Sequence, residues 1–136
     1  MEPSPTPRAA PRRNALLLLA AMLGTVVVLR VALHLSPDSD FDVAGHNVHH
    51  LFTGLLLVAA GGIPLAVLRR PGRGTDAAAV AFGAGLGMAL DEWVYLIATD
   101  GSNASYLLPV SLWGAVVTVG LAAAWAAVLG LAGRRR

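Results

Sequence analysis

The sequence predicts an all-α fold: a four-transmembrane-helix antiparallel bundle with both termini cytoplasmic. The first observation behind this prediction is composition. Hydrophobic residues make up 56% of the 136 residues and charged residues 13%, whereas about a quarter of the residues of a soluble domain are charged. The second is that four apolar stretches reach the length of about 20 residues that a membrane-crossing helix needs. The third is the position of arginine beside these stretches, described below.

The four predicted spans belong to one domain, residues 15–133. They cover about residues 15–35, 45–68, 76–98 and 107–132. Residues 1–14 are rich in proline and arginine and are predicted to form a disordered cytoplasmic tail, and residues 134–136 a basic cytoplasmic C-terminus. The first apolar run is longer than the roughly 7–15 residues of a signal-peptide core, and no clear cleavage site follows it, so we expect a retained helix.

The charges of the connecting segments predict the orientation. Nine of the ten arginines fall into three groups, which are Arg8, Arg12 and Arg13, then Arg69, Arg70 and Arg73, then Arg134, Arg135 and Arg136. The other two connections contain no arginine but carry Asp38, Asp40, Asp42 and Asp100. Basic segments stay in the cytoplasm, so we expect both termini inside. The bias towards Arg, Ala and Gly favours a bacterial plasma (inner) membrane, and the scattered arginine groups do not form a nucleic-acid footprint.

Small residues recur at helical spacing along three of the spans. Span four has Gly114, Thr118, Ala122, Ala126 and Gly130, span three has Ala79, Gly83 and Gly87, and span two has Gly54, Gly61 and Gly62. Such stripes allow helix backbones to approach closely in lipid. They predict a compact bundle in contact with membrane lipids, and some of them are also suited to a homo-oligomer interface.

Ionisable residues inside predicted spans are costly and mark candidate functional sites. They are Arg30 and His34 on span one, His46, His49 and His50 on span two, and Asp91 and Glu92 on span three. At 1.5 Å per helical residue, all lie within about 10 Å of the predicted outer surface. If span two begins near Gly45, its three histidines share an arc of about 100° on the first turn.

The clustering predicts a metal site. Imidazole and carboxylate ligands suit divalent transition metals such as Zn, Fe or Cu. The candidate ligands are His46, His49, His50, Asp91 and Glu92, with Arg30, His34 and Tyr95 as supporting residues. A bound metal would activate water or oxygen, and Asp91 or Glu92 would act as a catalytic base. The predicted function is a small multi-pass membrane protein with a metal-binding site in the outer half of the bilayer, and one hypothesis for this site is a metal-dependent membrane enzyme acting on a lipid or another hydrophobic substrate.

The segment HNVHH, residues 46–50, resembles one histidine box of membrane fatty-acid desaturases and hydroxylases. The likeness covers five residues. Those families carry several such boxes, usually facing the cytoplasm, whereas this chain has four histidines predicted to face outward. We therefore carry over no function from this resemblance.

Three alternatives stay open at this point. The histidines and carboxylates can form a structural hydrogen-bonded network without catalysis. A haem needs axial ligands from two helices, which His34 and His49 or His50 would provide. A proton relay would use the same acidic and imidazole groups, but Thr25 and Thr118 are almost the only polar residues in the inner half of the spans. A site open to the outer side fits better than a path across the membrane.

Overall fold

The computed structural model describes residues 10–36, 42–43, 46–47, 49–68 and 70–132. Its elements are α1 (Ala10–Leu35), β1 (Asp42–Val43), β2 (His46–Asn47), α2 (His50–Val67), α3 (Arg73–Ala98), α4 (Asn103–Tyr106) and α5 (Pro109–Ala132). Helices α1, α2, α3 and α5 are long and apolar enough to cross a membrane. The described chain is thus almost wholly helical and has four candidate spans, as expected for a multi-pass membrane protein.

The helix bounds differ from the predicted spans mainly at the beginnings of the helices. Helix α1 starts at Ala10, so residues 10–14 are helical where a disordered tail was predicted. Proline is tolerated in a first helical turn because its missing N–H would have no partner there, and this accommodates Pro11. The remaining residues of the predicted tail, 1–9, and the C-terminal residues 134–136 lie outside the described residues.

The beginning of α2 corrects one prediction. The second span was expected to start near Gly45, with His46, His49 and His50 together on its first turn. Instead His46 lies in β2, where it pairs with Val43 of β1 in antiparallel register, and the helix starts only at His50. Local sequence does not favour an earlier start, since Gly and Asn are poor helix formers. His49 is the residue directly before the helix.

Helix α3 lies at the centre of the packing. Among the described helices its backbone lies near those of α1, α2, α4 and α5, whereas the backbone of α2 lies near that of α3 alone. Glycines allow the close approach: a Cβ added to Gly85 of α3 would lie 2.5 Å from the carbonyl oxygen of Gly54 on α2. On the opposite face of α3, a Cβ added to Gly87 would lie 2.6 Å from the carbonyl oxygen of Met22 on α1. The predicted small-residue stripes on spans two and three therefore lie at real helix–helix contacts.

Contacts at the two ends show which helix termini are neighbours. At one end, Arg13 near the start of α1 forms a 2.7 Å ion pair with Asp76 near the start of α3. At the other end, the last two turns of α1 and α3 meet each other, α1 meets the first turn of α5, and α3 meets α4 and the first turn of α2. We call this second end the network end, because the buried polar groups described next lie there.

Candidate functional site

Asp91 is the most deeply buried charged group of the described residues, with no exposed surface. It lies seven residues before the end of α3, about 10 Å along the helix axis. Its Oδ1 atom accepts a 2.8 Å hydrogen bond from the Nε atom of Arg30. Its Oδ2 atom accepts a hydrogen bond from the hydroxyl of Tyr106. Both oxygens of this carboxylate are therefore bonded within the protein, as a buried charge requires.

Arg30 connects four helices through one guanidinium group. Besides its bond to Asp91, it donates to the backbone carbonyl of Tyr106 at 3.4 Å. It also donates to the carbonyl and hydroxyl oxygens of Ser111 at 3.2 and 3.1 Å. The guanidinium carbon lies 4.3 Å from the centre of the Tyr106 ring, a cation–π geometry. Arg30 thereby joins α1 to α3, α4 and α5 at the network end.

Glu92 bonds a different helix from its neighbour Asp91. Its Oε2 atom accepts a 2.8 Å hydrogen bond from the backbone N–H of Leu51, in the first turn of α2. First-turn N–H groups have no partner inside their own helix, and a negative charge there also interacts favourably with the helix dipole. Glu92 is thus an N-terminal cap supplied by a neighbouring helix.

Two histidines approach the other oxygen of Glu92. The Nδ1 atom of His50 lies 3.1 Å from its Oε1 atom, and the Nδ1 atom of His49 lies 3.4 Å from the same atom. The Nε2 atom of His50 lies 3.5 Å from Oδ2 of Asp91. Among the described side chains, this buried Nε2 atom has no hydrogen-bond partner. The imidazole of His50 therefore lies between the two carboxylates.

Aromatic rings enclose the charged groups. The rings of Tyr95 and Tyr106 are 5.2 Å apart at their centres and nearly perpendicular. Tyr106 also meets His50 edge-on at 5.7 Å, and Tyr95 lies 6.1 Å from His49. The hydroxyl of Tyr95 donates to the carbonyl of Ser102. Burial, together with the Asp91 carboxylate, raises the pKa of Tyr106, so its hydroxyl is a donor to Asp91 and not a phenolate.

The charges of this cluster do not balance if both imidazoles are neutral. We call the group formed by Arg30, His49, His50, Asp91, Glu92 and Tyr106 the network. It holds two carboxylates, of which Asp91 is fully buried and Glu92 is 3% exposed, but one guanidinium. An uncompensated buried charge is strongly unfavourable. One further bound proton, on an imidazole or on a carboxylate, would balance the charges of the network.

The structure brings most of the predicted site residues together. His49, His50, Asp91, Glu92, Arg30 and Tyr95 all lie at the network end. His34 is exposed on the last turn of α1, and no bond from it to the network is found among the described residues. The side chain of His46 lies outside the described residues. Among the side chains that are described, no three His, Asp or Glu residues form a group that could hold a metal ion.

Sequence reasoning missed Tyr106 and the backbone of Leu51. Tyr106 was placed in an ordinary outer connection, yet it bonds Asp91 and stacks on Arg30. One available signal was its position directly before an apolar span, at the level where aromatic residues often lie. The bond from Leu51 has no sequence signal, because any residue except proline offers the same backbone N–H.

The connection between α3 and α4 is ordered by its own hydroxyl groups. Asp100 accepts hydrogen bonds from the hydroxyls of Ser105 and Ser102 and from the backbone N–H of Ser102. The bond from Ser105, and then those from Ser102, hold the pKa of Asp100 below its ordinary value. These bonds fix α4, and with it Tyr106, against the end of α3.

Comparison of the chain with protein-family models, curated proteins and solved structures found no match.

Proposed function

We propose that the chain is a bacterial inner-membrane protein with an antiparallel arrangement of four spans, both termini in the cytoplasm and the network end facing outward. The described arginines at the opposite end, Arg12, Arg13, Arg70 and Arg73, support this orientation because basic segments stay inside. The acidic residue of the connection at the network end, Asp100, agrees with it.

The function that this geometry supports best is reversible proton binding at the network, which would make the chain a pH-responsive membrane protein. One observation carries the proposal: two buried carboxylates, Asp91 and Glu92, face one guanidinium and two imidazoles. A proton on one imidazole balances the buried charge. Histidine is the side chain whose charge changes most readily near neutral pH.

The exchange of this proton is proposed to take place from one side. His49 and His50 are 23% and 17% exposed, whereas the carboxylates behind them are buried. Towards the opposite end, α3 carries no ionisable side chain from residue 77 to residue 90, so the central helix offers no relay across the membrane. A site of this kind suits a sensor or a one-sided proton acceptor better than a proton channel.

The metal-dependent enzyme predicted from the sequence stays a prediction. Three of the four carboxylate oxygens in the network already accept bonds from Arg30, Tyr106 and the backbone of Leu51. A metal centre would therefore depend on His46, whose side chain lies outside the described residues. Metal analysis of the purified protein decides between the two functions.

The test uses protein with ¹⁵N-labelled histidine in lipid bilayers at about pH 7.5, where an ordinary exposed imidazole is mostly neutral. Nitrogen chemical shifts distinguish imidazolium from the neutral tautomers. We expect one imidazolium per chain in the wild type and its loss in Glu92→Gln, because that variant removes the unbalanced charge. His34→Gln is the matched control and should leave the signal unchanged.

Two results would overturn the proposal. One is a wild-type spectrum in which every imidazole is neutral. The other is a stoichiometric transition metal in the same preparation, lost in His49→Ala and Glu92→Ala, which would establish the metal centre instead.

A further inference from the structure

We infer that His50 is the residue that holds the proton, as an imidazolium that donates to Glu92 from Nδ1 and to Asp91 from Nε2 and so fastens the start of α2 to α3. This inference rests on the proposed proton-binding function. It adds the identity of the residue and a structural consequence of protonation.

A hydrogen on the Nδ1 atom of His50 is favourable when Glu92 is ionised. This nitrogen lies 3.1 Å from Oε1 of Glu92, a distance that fits an N–H···O hydrogen bond. A carboxylate oxygen only accepts hydrogen bonds. A bare nitrogen at this position would set one lone pair against another in a buried site, which is unfavourable.

A hydrogen on the Nε2 atom, on the other side of the ring, is favourable for the same reason. This nitrogen lies 3.5 Å from Oδ2 of Asp91, an ion-pair distance slightly longer than a good hydrogen bond. In neutral imidazole, a hydrogen on Nδ1 leaves Nε2 as an acceptor, facing a carboxylate and without a partner among the described residues. Only the imidazolium offers a donor to each carboxylate.

His49 is the weaker candidate for the proton. Its Nδ1 atom lies farther from the same Glu92 oxygen, at 3.4 Å, and its ring is more exposed than that of His50. A neutral His49 with a hydrogen on Nδ1 satisfies this single contact.

The positive and negative charges around His50 balance when its imidazole is protonated. Among the described residues, the titratable or charged groups that face it or its partners are Asp91, Glu92 and Tyr95 of α3, Arg30 of α1, Tyr106 of α4 and its neighbour His49. Arg30 and the His50 imidazolium compensate the two carboxylates, while Tyr106 and His49 stay neutral donors. Removal of the proton from His50 leaves one buried negative charge beside the start of α2.

Because of the way α2 packs, the charge of His50 is expected to affect the position of the first turns of this helix. Most of the packing of α2 against the described helices is with α3, and at its first turn the His50 ring also meets the Tyr106 ring of α4. Its middle is held by the backbone contact of Gly54 with Gly85, and its start by Glu92 and His50. Loss of the proton weakens the attachment at the start alone. We expect the first turns of α2 to move away from α3 when His50 is neutral, while the remainder stays packed.

The first experiment assigns the proton. The ¹⁵N spectrum is recorded for His50→Gln, His50→Asn and His49→Gln, all expected to fold because each keeps a polar side chain of similar size. We expect the imidazolium signal to be lost in both His50 variants and kept in His49→Gln. Loss in His49→Gln, with retention in the His50 variants, would overturn the assignment to His50 and leave the proposed function intact. Absence of the signal from the wild type would overturn the function itself.

The second experiment measures the movement. The chain contains no cysteine, so spin labels can be attached to Phe52→Cys on α2 and Val28→Cys on α1, both exposed positions. We expect a longer and broader distance distribution in His50→Gln than in the parent pair. The control pair, Ile63→Cys with Leu16→Cys near the opposite end, should not change. Equal distributions for the first pair in the presence and absence of His50 would overturn the proposed movement.

Discussion

At the scale of single residues, the two arginine–aspartate pairs found among the described residues differ mainly in burial. The Arg30 and Asp91 side chains are 15% and 0% exposed, whereas those of Arg13 and Asp76 are 57% and 20% exposed. Removing one member of a buried pair leaves a charge without compensation and costs about 3–5 kcal/mol, while an exposed pair contributes about 0–1 kcal/mol. The two pairs therefore provide a matched comparison within one protein.

We predict that Arg30→Gln lowers the free energy of unfolding by about 3–5 kcal/mol and that Arg13→Gln lowers it by less than about 1 kcal/mol. Denaturant titration of the purified protein, followed by circular dichroism, measures both values. The double variant Arg30→Met with Asp91→Leu should recover part of the loss, because apolar replacement of both partners leaves neither of them as an uncompensated buried charge. Equal effects of Arg30→Gln and Arg13→Gln would contradict the role assigned to the network.

The two tyrosines of the site allow a second comparison between residues of the same type. Tyr106 donates to the carboxylate of Asp91, and Tyr95 donates to the neutral carbonyl of Ser102. Hydrogen bonds to charged groups contribute about 1.5–3 kcal/mol and neutral ones about 0.5–1.5 kcal/mol. We predict that Tyr106→Phe destabilises more than Tyr95→Phe in the same denaturant titration. The reverse order would show that Tyr106 is not a principal partner of Asp91.

At the scale of helices, the glycines of α3 determine how near its neighbours can come. A Cβ at Gly85 meets the backbone of α2, whereas a Cβ at Gly24 of α1 meets no atom within 4 Å. We predict that Gly85→Ala destabilises by about 1–3 kcal/mol through overpacking. Gly24→Ala should be neutral, or stabilise by up to about 1 kcal/mol, because alanine favours a helix.

Unfolding titrations of the two variants measure this difference. Gly85→Ala should also detach α2 selectively, so hydrogen exchange is expected to rise in α2 more than in α1. A uniform rise in exchange along both helices would mean that the glycine contact does not act locally on α2.

The helices also show where sequence reasoning succeeds and where it fails. The four spans were predictable because hydrophobic length is a property of each segment by itself. The start of α2 was not, since Glu92, 41 residues farther along the chain, supplies the cap at Leu51, while His46 pairs with Val43 in antiparallel register. Helix beginnings that are set by tertiary contacts leave no local pattern.

At the scale of the whole molecule, the candidate site was partly predictable for a physical reason. Charged side chains are costly in a membrane, so Arg30, Asp91 and Glu92 are expected to lie close together. Their predicted depths below the outer surface, on spans one and three, are also similar. The pairing itself was not predictable. The depth of each residue in the membrane does not predict that Arg30 bonds Asp91 while Glu92 caps α2. Each contact depends on how α3 is rotated about its axis and on which helices lie beside it. The contribution of Tyr106 depended on α4, a helix that hydrophobic length cannot predict.

Orientation is the property of the whole molecule on which the proposed function depends, because it determines which compartment supplies the proton. The arginine distribution predicts that the connection containing α4 is outside and the connection before α3 is inside. Ala104, which is exposed on α4, and Gly72, where a Cβ would meet no atom within 4 Å, are suitable labelling positions in a chain without cysteine.

We predict that a membrane-impermeant thiol reagent added to intact cells labels Ala104→Cys and leaves Gly72→Cys unlabelled. After permeabilisation both variants should react, which controls for the reactivity of each thiol. The opposite pattern would place the network at the cytoplasmic surface. His50 would then exchange its proton with the cytoplasm, where pH is closely regulated, and a response to external acidity would no longer follow from the same buried charges.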